Sequence, residues 1–189
     1  MPMHEPAMRR SVVLLLNVAH TFDHLFLLIF ATAVTAIAHD FGLARWEDLM
    51  PYGAGAFLMF GLGSLPAGKL GDQWGRRRTM LVFFFGMGLA SLLVATTQGP
   101  WALAAALALL GTFSAIYHPV GIPMLVQRTS NPGAAIGING FAGNLGIAAA
   151  AILTGMLVEA AGWRTAFAVP GLACIALGAL FWKLAPPER

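Results

Sequence analysis

Six long apolar stretches, separated by short loops that hold nearly all the charge, leave this chain few ways to fold. They run over about 11–38, 50–70, 79–97, 101–126, 134–159 and 163–184. A helix needs about 20 mostly apolar residues to cross the hydrocarbon core of a bilayer. Lipid offers no partners to an open backbone, so each stretch predicts a helix. A water-soluble alternative fails on composition. Charged residues make up 10% of the 189 and hydrophobic ones 58%, with mean hydropathy +0.76. Ordinary soluble domains carry about 25% charged residues, so this chain has too few to cover a surface in water. The sequence divides into residues 1–10 as a cytoplasmic N-terminus, 11–185 as a transmembrane domain, and 186–189 as a cytoplasmic tail.

The placement of basic residues supports an even number of spans. Of 11 lysines and arginines, Arg45 and Arg164 fall in loops on one side. The other nine (Arg9, Arg10, Lys69, Arg76, Arg77, Arg78, Arg128, Lys183 and Arg189) share the opposite side if there are six spans. Cytoplasmic loops carry the excess of Lys and Arg, so both termini are expected in the cytoplasm. Basic residues confined to short loops argue against a nucleic-acid partner. Arg9 and Arg10 precede an apolar stretch that is too long for a signal peptide and contains Asp23, so no cleavable leader is expected, although Ala31-Thr32-Ala33 imitates a cleavage site. The single cysteine, Cys174, excludes an internal disulfide.

Glycine is frequent inside the second stretch (Gly53, Gly55, Gly61, Gly63) and the fifth (Gly137, Gly140, Gly143, Gly146). Small residues on one face permit close helix crossing in lipid. Both stretches are expected to be packing helices within the chain, with a dimer contact as the alternative.

The loop after the second stretch reads Gly68-Lys69-Leu70-Gly71-Asp72-Gln73-Trp74-Gly75-Arg76-Arg77-Arg78. Asp72 and Arg76 stand four apart and are placed to pair. The loop resembles the signature loop between helices two and three of major facilitator superfamily transporters, Gly-x-Leu-x-Asp-Arg-x-Gly-Arg-Arg. Gly68, Leu70, Asp72, Gly75, Arg76 and Arg77 match, while Gln73 replaces the usual arginine and removes one charge from the family's cytoplasmic latch. Gly162-Trp163-Arg164 with Phe167 resembles the start of helix six in that family. Tyr117-His118-Pro119-Val120-Gly121, followed by the glycine- and asparagine-rich fifth stretch, resembles its fosmidomycin-resistance-type efflux branch. Asp72, Gly75 and Arg76 are echoed by Glu159, Gly162 and Arg164 after the fifth stretch, as an inverted repeat would leave them.

The resemblance implies an all-α membrane protein of six transmembrane helices arranged as a 3+3 inverted repeat, one half of a major facilitator fold. It implies secondary transport of a small-molecule substrate, with proton-linked export favoured. Family members usually have twelve spans around a central cavity, so a single half would expose its cavity face. A homodimer or a second six-span half is the expected partner, alongside the lipid bilayer. The alternatives are a non-transporting scaffold or regulatory half, or a fragment of a longer transporter.

Polar residues within the apolar stretches are the candidate site. Asn17, His20 and His24 follow i, i+3, i+7 spacing and share one helix face, with Asp23 close to it. Ionisable groups at that depth are functional candidates by default. Tyr117 and His118 in the fourth stretch fall at a depth similar to Asp23. In the family, helices one and four line the cavity. The expectation is that Asp23 with a histidine partner carries a proton while His20, Tyr117 and His118 contact substrate; histidine titrates near physiological pH. The bland reading is that these groups only hold helices together. Asn139 and Asn144 in the fifth stretch face either the cavity or a neighbouring helix, and Pro119 is expected to kink the fourth. Proton-coupled branches of the family often carry an arginine within helix four, and here none occurs before Arg128. His20 and His24 at i, i+4 would suit two metal ligands. Span one supplies no third, so neither a metal nor any cofactor is expected. No nucleophile motif supports an enzyme, and no Walker loop supports ATP-driven transport.

Overall fold

Residues 9–127 and 129–187 are described by a computed structural model, and every regular element among them is helical. The expected N-terminal segment falls mostly outside the described residues, as do Arg128 and Arg189. Helix α1 spans Arg10–Asp40, α2 Ala54–Trp74, α3 Arg76–Ala95, α4 Pro100–Ser114, α5 Ile122–Val126, α6 Pro132–Ala161 and α7 Trp163–Leu184. A π turn, Tyr117–Gly121, joins α4 to α5, so 100–126 is one interrupted span. The proline kink expected at Pro119 takes this form: Pro119 has no N–H to offer the preceding turn, and the helix widens there. Two short 3-10 turns, Trp46–Asp48 and Met50–Gly53, lead into α2.

Local chemistry sets the boundaries. Pro100 and Pro132 sit in the first helical turn, where a missing N–H is harmless. Asn131 caps α6 by accepting the Ala134 amide at 3.1 Å. Two helix pairs meet at a single glycine with left-handed backbone. Gly75 (φ 93°, ψ 141°) separates α2 from α3, and Gly162 (φ 88°, ψ 165°) separates α6 from α7. Such φ values favour glycine, so the two glycines of the sequence echo share one backbone role.

Five helical spans are long and apolar enough to cross a membrane among the described residues: Arg10–Asp40, Arg76–Ala95, Pro100–Val126, Pro132–Ala161 and Trp163–Leu184. Helix α2, at 21 residues, has the length. Its glycines, Ser64, Pro66 and Lys69 lower its hydropathy enough to leave it out of that set.

The helices pack in three principal pairs: α1 against α6, α2 against α4, and α3 against α7. Glycine permits the first two contacts. A Cβ at Gly111 of α4 would collide with the Ala56 backbone of α2, and one at Gly146 of α6 with the Thr21 backbone of α1. Between α3 and α7 glycine also gives room, since a Cβ at Gly88 would stand 2.7 Å from the Gly171 carbonyl oxygen, and the contact is in addition aromatic and hydrogen-bonded. Phe84 and Phe181 lie 5.3 Å apart by ring centroid. Ser91 donates to the Phe167 carbonyl at 2.7 Å, and the buried thiol of Cys174 donates to the Phe84 carbonyl at 3.3 Å.

Arginines tie α3 and α7 reciprocally. Arg77, at the start of α3, donates to Ala185 and Trp182 carbonyls at the end of α7 (2.7 and 2.6 Å). Arg164, at the start of α7, donates to the Thr97 carbonyl just beyond α3 at 3.1 Å and to Asp40 at 2.8 Å. The Arg77 guanidinium satisfies carbonyls left orphaned at the C-terminus of α7, and Arg164 holds the loop just beyond α3. Arg164 and Asp40 are 36% and 41% exposed, so water screens the pair. Arg164→Ala is expected to destabilise the fold by about 1 kcal/mol, read as a small drop in thermal midpoint in detergent. An unchanged midpoint would make this tie incidental. In the signature loop, Asp72 pairs with Arg76 at 3.4 Å, and Gly68 and Gly71 lie against Pro119 and Val120 of the π turn.

Candidate functional site

The interior between α1, α6 and the α4–π-turn span holds a polar cluster in an otherwise apolar core. Helical spacing on α1 delivers Asn17, His20, Asp23 and His24 to this seam. Asn17, His20 and Asp23 are buried, and His24 is partly so. The π turn presents Tyr117 and His118 from the opposite side, and α6 contributes Asn139.

Asn139 joins three elements. Its amide donates to Asn17 Oδ1 at 3.0 Å and to the Tyr117 hydroxyl at 2.7 Å. Tyr117 passes its own proton to the Leu16 carbonyl at 2.8 Å. The backbone carbonyl of Asn139 accepts from His20 Nδ1 at 2.7 Å. A carbonyl cannot donate, so His20 Nδ1 carries a proton, and in the neutral ring Nε2 is left with its lone pair. That lone pair faces His24 Nε2 at 3.0 Å. His20 also stacks on Tyr117, centroids 4.7 Å apart. Gly143 of α6 lies beneath the His20 and His24 rings: a Cβ there would stand 2.7 Å from His20 and 3.0 Å from His24.

Asp23 is wholly buried. One oxygen accepts from the Ser114 hydroxyl of α4. The other, Oδ2, makes no hydrogen bond and stands 3.4 Å from His118 Nε2, which makes none either. A buried carboxylate without a counter-charge is strongly disfavoured. No lysine or arginine occurs between Arg10 and Arg45 or between Arg78 and Arg128. The only cationic groups within reach of an ionised Asp23 are therefore the histidines of the cluster or an incoming cation. His118 is 37% exposed, so the cluster opens toward the surface through that ring.

Seven of the eight candidate residues, Asn17, His20, Asp23, His24, Tyr117, His118 and Asn139, come together. Asn144 does not join them: it is exposed and its amide turns back to the Gly140 carbonyl of its own helix at 3.0 Å. The sequence reading missed Ser114, which stands four residues before His118 and so on the same helical face, a signal available in the spacing. It also missed Thr21, whose hydroxyl donates to the Ala142 carbonyl across the α1–α6 seam at 2.8 Å.

An all-helical bundle with five apolar helices of membrane length among the described residues is the architecture of a multi-pass membrane protein. The sequence profile of the Major Facilitator Superfamily matches residues 16–189, and the chain belongs to that family. It is a family of transporters rather than enzymes. The chain is 32% identical over 169 residues to a tetracenomycin C resistance and export protein of Streptomyces glaucescens, a match that covers 85% of this chain and 31% of that one. A puromycin resistance protein of Streptomyces alboniger is 35% identical over 135 residues (70% of this chain, 27% of the relative). A gallate transporter of Pseudomonas putida is 27% identical over 167 residues (87% and 37%). The chain thus spans about a third of the length of these relatives. In structure it is similar to the proton:xylose symporter XylE, with TM-score 0.74 at 16% identity, covering 94% of this chain and 44% of that one. At that identity the likeness speaks for the fold alone.

Proposed function

We propose that this chain is a six-span half of a secondary transporter that exports a small organic solute in exchange for protons. The observation that carries the reading is the buried Asp23 carboxylate, whose free oxygen faces the free Nε2 of His118 at 3.4 Å. Two groups so placed can share one proton, and His118 reaches the surface to deliver or release it. His20, Tyr117 and His118 would contact the solute, and the Asn17–Asn139 pair would hold α1 to α6. Relatives named for resistance and export favour outward transport. The Tyr117–Gly121 segment supports the fosmidomycin-resistance-type branch.

The packing supports a 3+3 inverted repeat. If α1–α3 correspond to α4/α5–α7, the first element of each repeat packs against the second of the other, and the third elements pack together. The observed pairs follow that pattern. The matched glycine junctions and the reciprocal arginine ties follow it as well. On this reading α2 is the remaining span, and both termini are cytoplasmic.

A second half would cover the face that α2 and α6 leave open. Leu58, Leu62 and Leu65 of α2 and Ile138, Phe141 and Met156 of α6 are 60–84% exposed. Gly61, Gly137 and Gly140 have no neighbour where a Cβ would stand. The purified protein in mild detergent is expected to run as an assembly heavier than the 19.9 kDa of one such chain. A strict monomer that binds no other six-span half would overturn the pairing. For transport, proteoliposomes under an imposed proton gradient should move puromycin or gallate, the first probes to try, and a protonophore should stop the movement.

A further inference from the structure

We propose that His20, His24 and His118 form a binding site for one divalent transition-metal ion of the borderline class (zinc, cobalt or nickel), with Asp23 as its counter-charge. The proposal rests on the same reading of the cluster as a cation-handling centre and names a further cation that it takes. Sequence spacing offers only the His20–His24 pair. The fold adds the third imidazole from the π turn, which no spacing along α1 could reveal.

One ring nitrogen from each histidine lies within 4.8 Å of the other two. In a tetrahedral site with metal–nitrogen bonds of about 2.0–2.1 Å, the nitrogens stand about 3.4 Å apart. The His20 and His24 Nε2 atoms are at 3.0 Å, already near that spacing. The widest pair must close by about 1.4 Å, within the swing of the half-exposed His118 ring.

The surroundings suit a metal in three further respects. The His20 Nδ1–H is held by the Asn139 carbonyl at 2.7 Å, the outer-shell bond that fixes a ligating histidine's tautomer and aims its other nitrogen. The contact between the two Nε2 atoms needs a shared proton, and a metal ion can replace it. Finally, Oδ2 of Asp23 and Nε2 of His118 are buried without hydrogen bonds, and a divalent ion between the rings would supply the positive charge that Asp23 lacks. Imidazole donors favour zinc, nickel and copper over magnesium and calcium. Three histidines leave a fourth position for water, solute or Asp23 itself.

Cobalt(II) is the direct probe, because tetrahedral nitrogen coordination gives it strong visible absorption. Tag-free protein in detergent is titrated with Co2+ alone and then with Zn2+ as competitor. One Co2+ per chain is expected, displaced by an equivalent of Zn2+. His118→Ala should weaken binding at least about tenfold, and His24→Gln likewise, while His39→Ala, at the far end of α1, leaves it unchanged. No saturable Co2+ absorption in wild type overturns the site, as does saturable binding that His118→Ala and His24→Gln both leave intact. Elution volume and helical circular dichroism show whether each variant is folded, and the wild-type stoichiometry decides the matter without them. Proton-driven flux in a protein that binds no Co2+ would remove the metal site and spare the transport reading. Stoichiometric Co2+ binding without flux would do the opposite.

Discussion

Asp23→Asn is expected to abolish proton-driven flux while leaving the helices folded. Asparagine keeps the shape of aspartate. Its carbonyl can still accept from Ser114, and its amide can donate to His118 Nε2, which has no hydrogen bond in the native cluster. Interhelical polar contacts in lipid are worth about 0.6 kcal/mol on average and less than about 2 kcal/mol at most. The thermal midpoint should therefore stay close to wild type. Transport should not. The substitution removes the one acidic group among the seven clustered residues, and loss of a positioned proton-transfer group slows proton-dependent chemistry by about 10²–10⁴-fold. Flux of the probe solute under an imposed proton gradient is expected to fall at least about a hundredfold. Solute-driven counter-movement of protons should vanish with it. Wild-type flux in folded Asp23→Asn would show that the carboxylate only holds α1 to α4.

The fold is more legible in the sequence than the site, for a physical reason. Lipid allows a spanning chain little besides helices, so apolar length marks directly where helices form. The helices Arg10–Asp40, Arg76–Ala95, Pro132–Ala161 and Trp163–Leu184 lie within a few residues of the stretches read from sequence. The second departs most: apolarity places it over 50–70, and α2 runs Ala54–Trp74. There Pro51 lies in the 3-10 turn Met50–Gly53, and the helix runs on through the charged loop residues Lys69 and Asp72 to Trp74. Pro119 foreshadows the interruption of the fourth span, but a π turn is a local geometry that a proline permits without dictating.

Within the site, spacing on one helix is visible and contact between helices is not. His20 and His24 can be paired by counting. Their meeting with His118 depends on α1 and α4 crossing at one depth, and on glycines that let α6 come in beneath them. The signature-loop glycines show the same limit. Gly68 and Gly71 read only as part of the signature loop in the sequence, yet both lie inside α2 and give room to Pro119 and Val120. Asn144 shows the converse. Its residue type suggests a site role, but its position on α6 turns it outward, where it satisfies its own backbone.

Gly146→Leu is expected to be the most destabilising single change on the seam that supports the cluster. A Cβ at this position overlaps the Thr21 carbonyl oxygen and lies 2.9 and 3.0 Å from the Thr21 carbonyl carbon and Cα. These are backbone atoms of α1, so no side chain can rotate away, and the helices must part. Overpacking of this kind costs about 1–3 kcal/mol. Separation would also stretch the Thr21–Ala142 and His20–Asn139 hydrogen bonds, at 2.8 and 2.7 Å, which places the expected loss near the upper end, about 3 kcal/mol. The favourable helix propensity of leucine over glycine, below about 1 kcal/mol, cannot offset it. Gly155, on the same helix, has open space where a Cβ would stand, with no neighbour within 4 Å, so Gly155→Ala should be neutral to slightly stabilising. Thermal unfolding of the two variants in one detergent decides between them. Equal midpoints would mean that α1 and α6 are not held at this distance, and the cluster built across them would lose its structural basis.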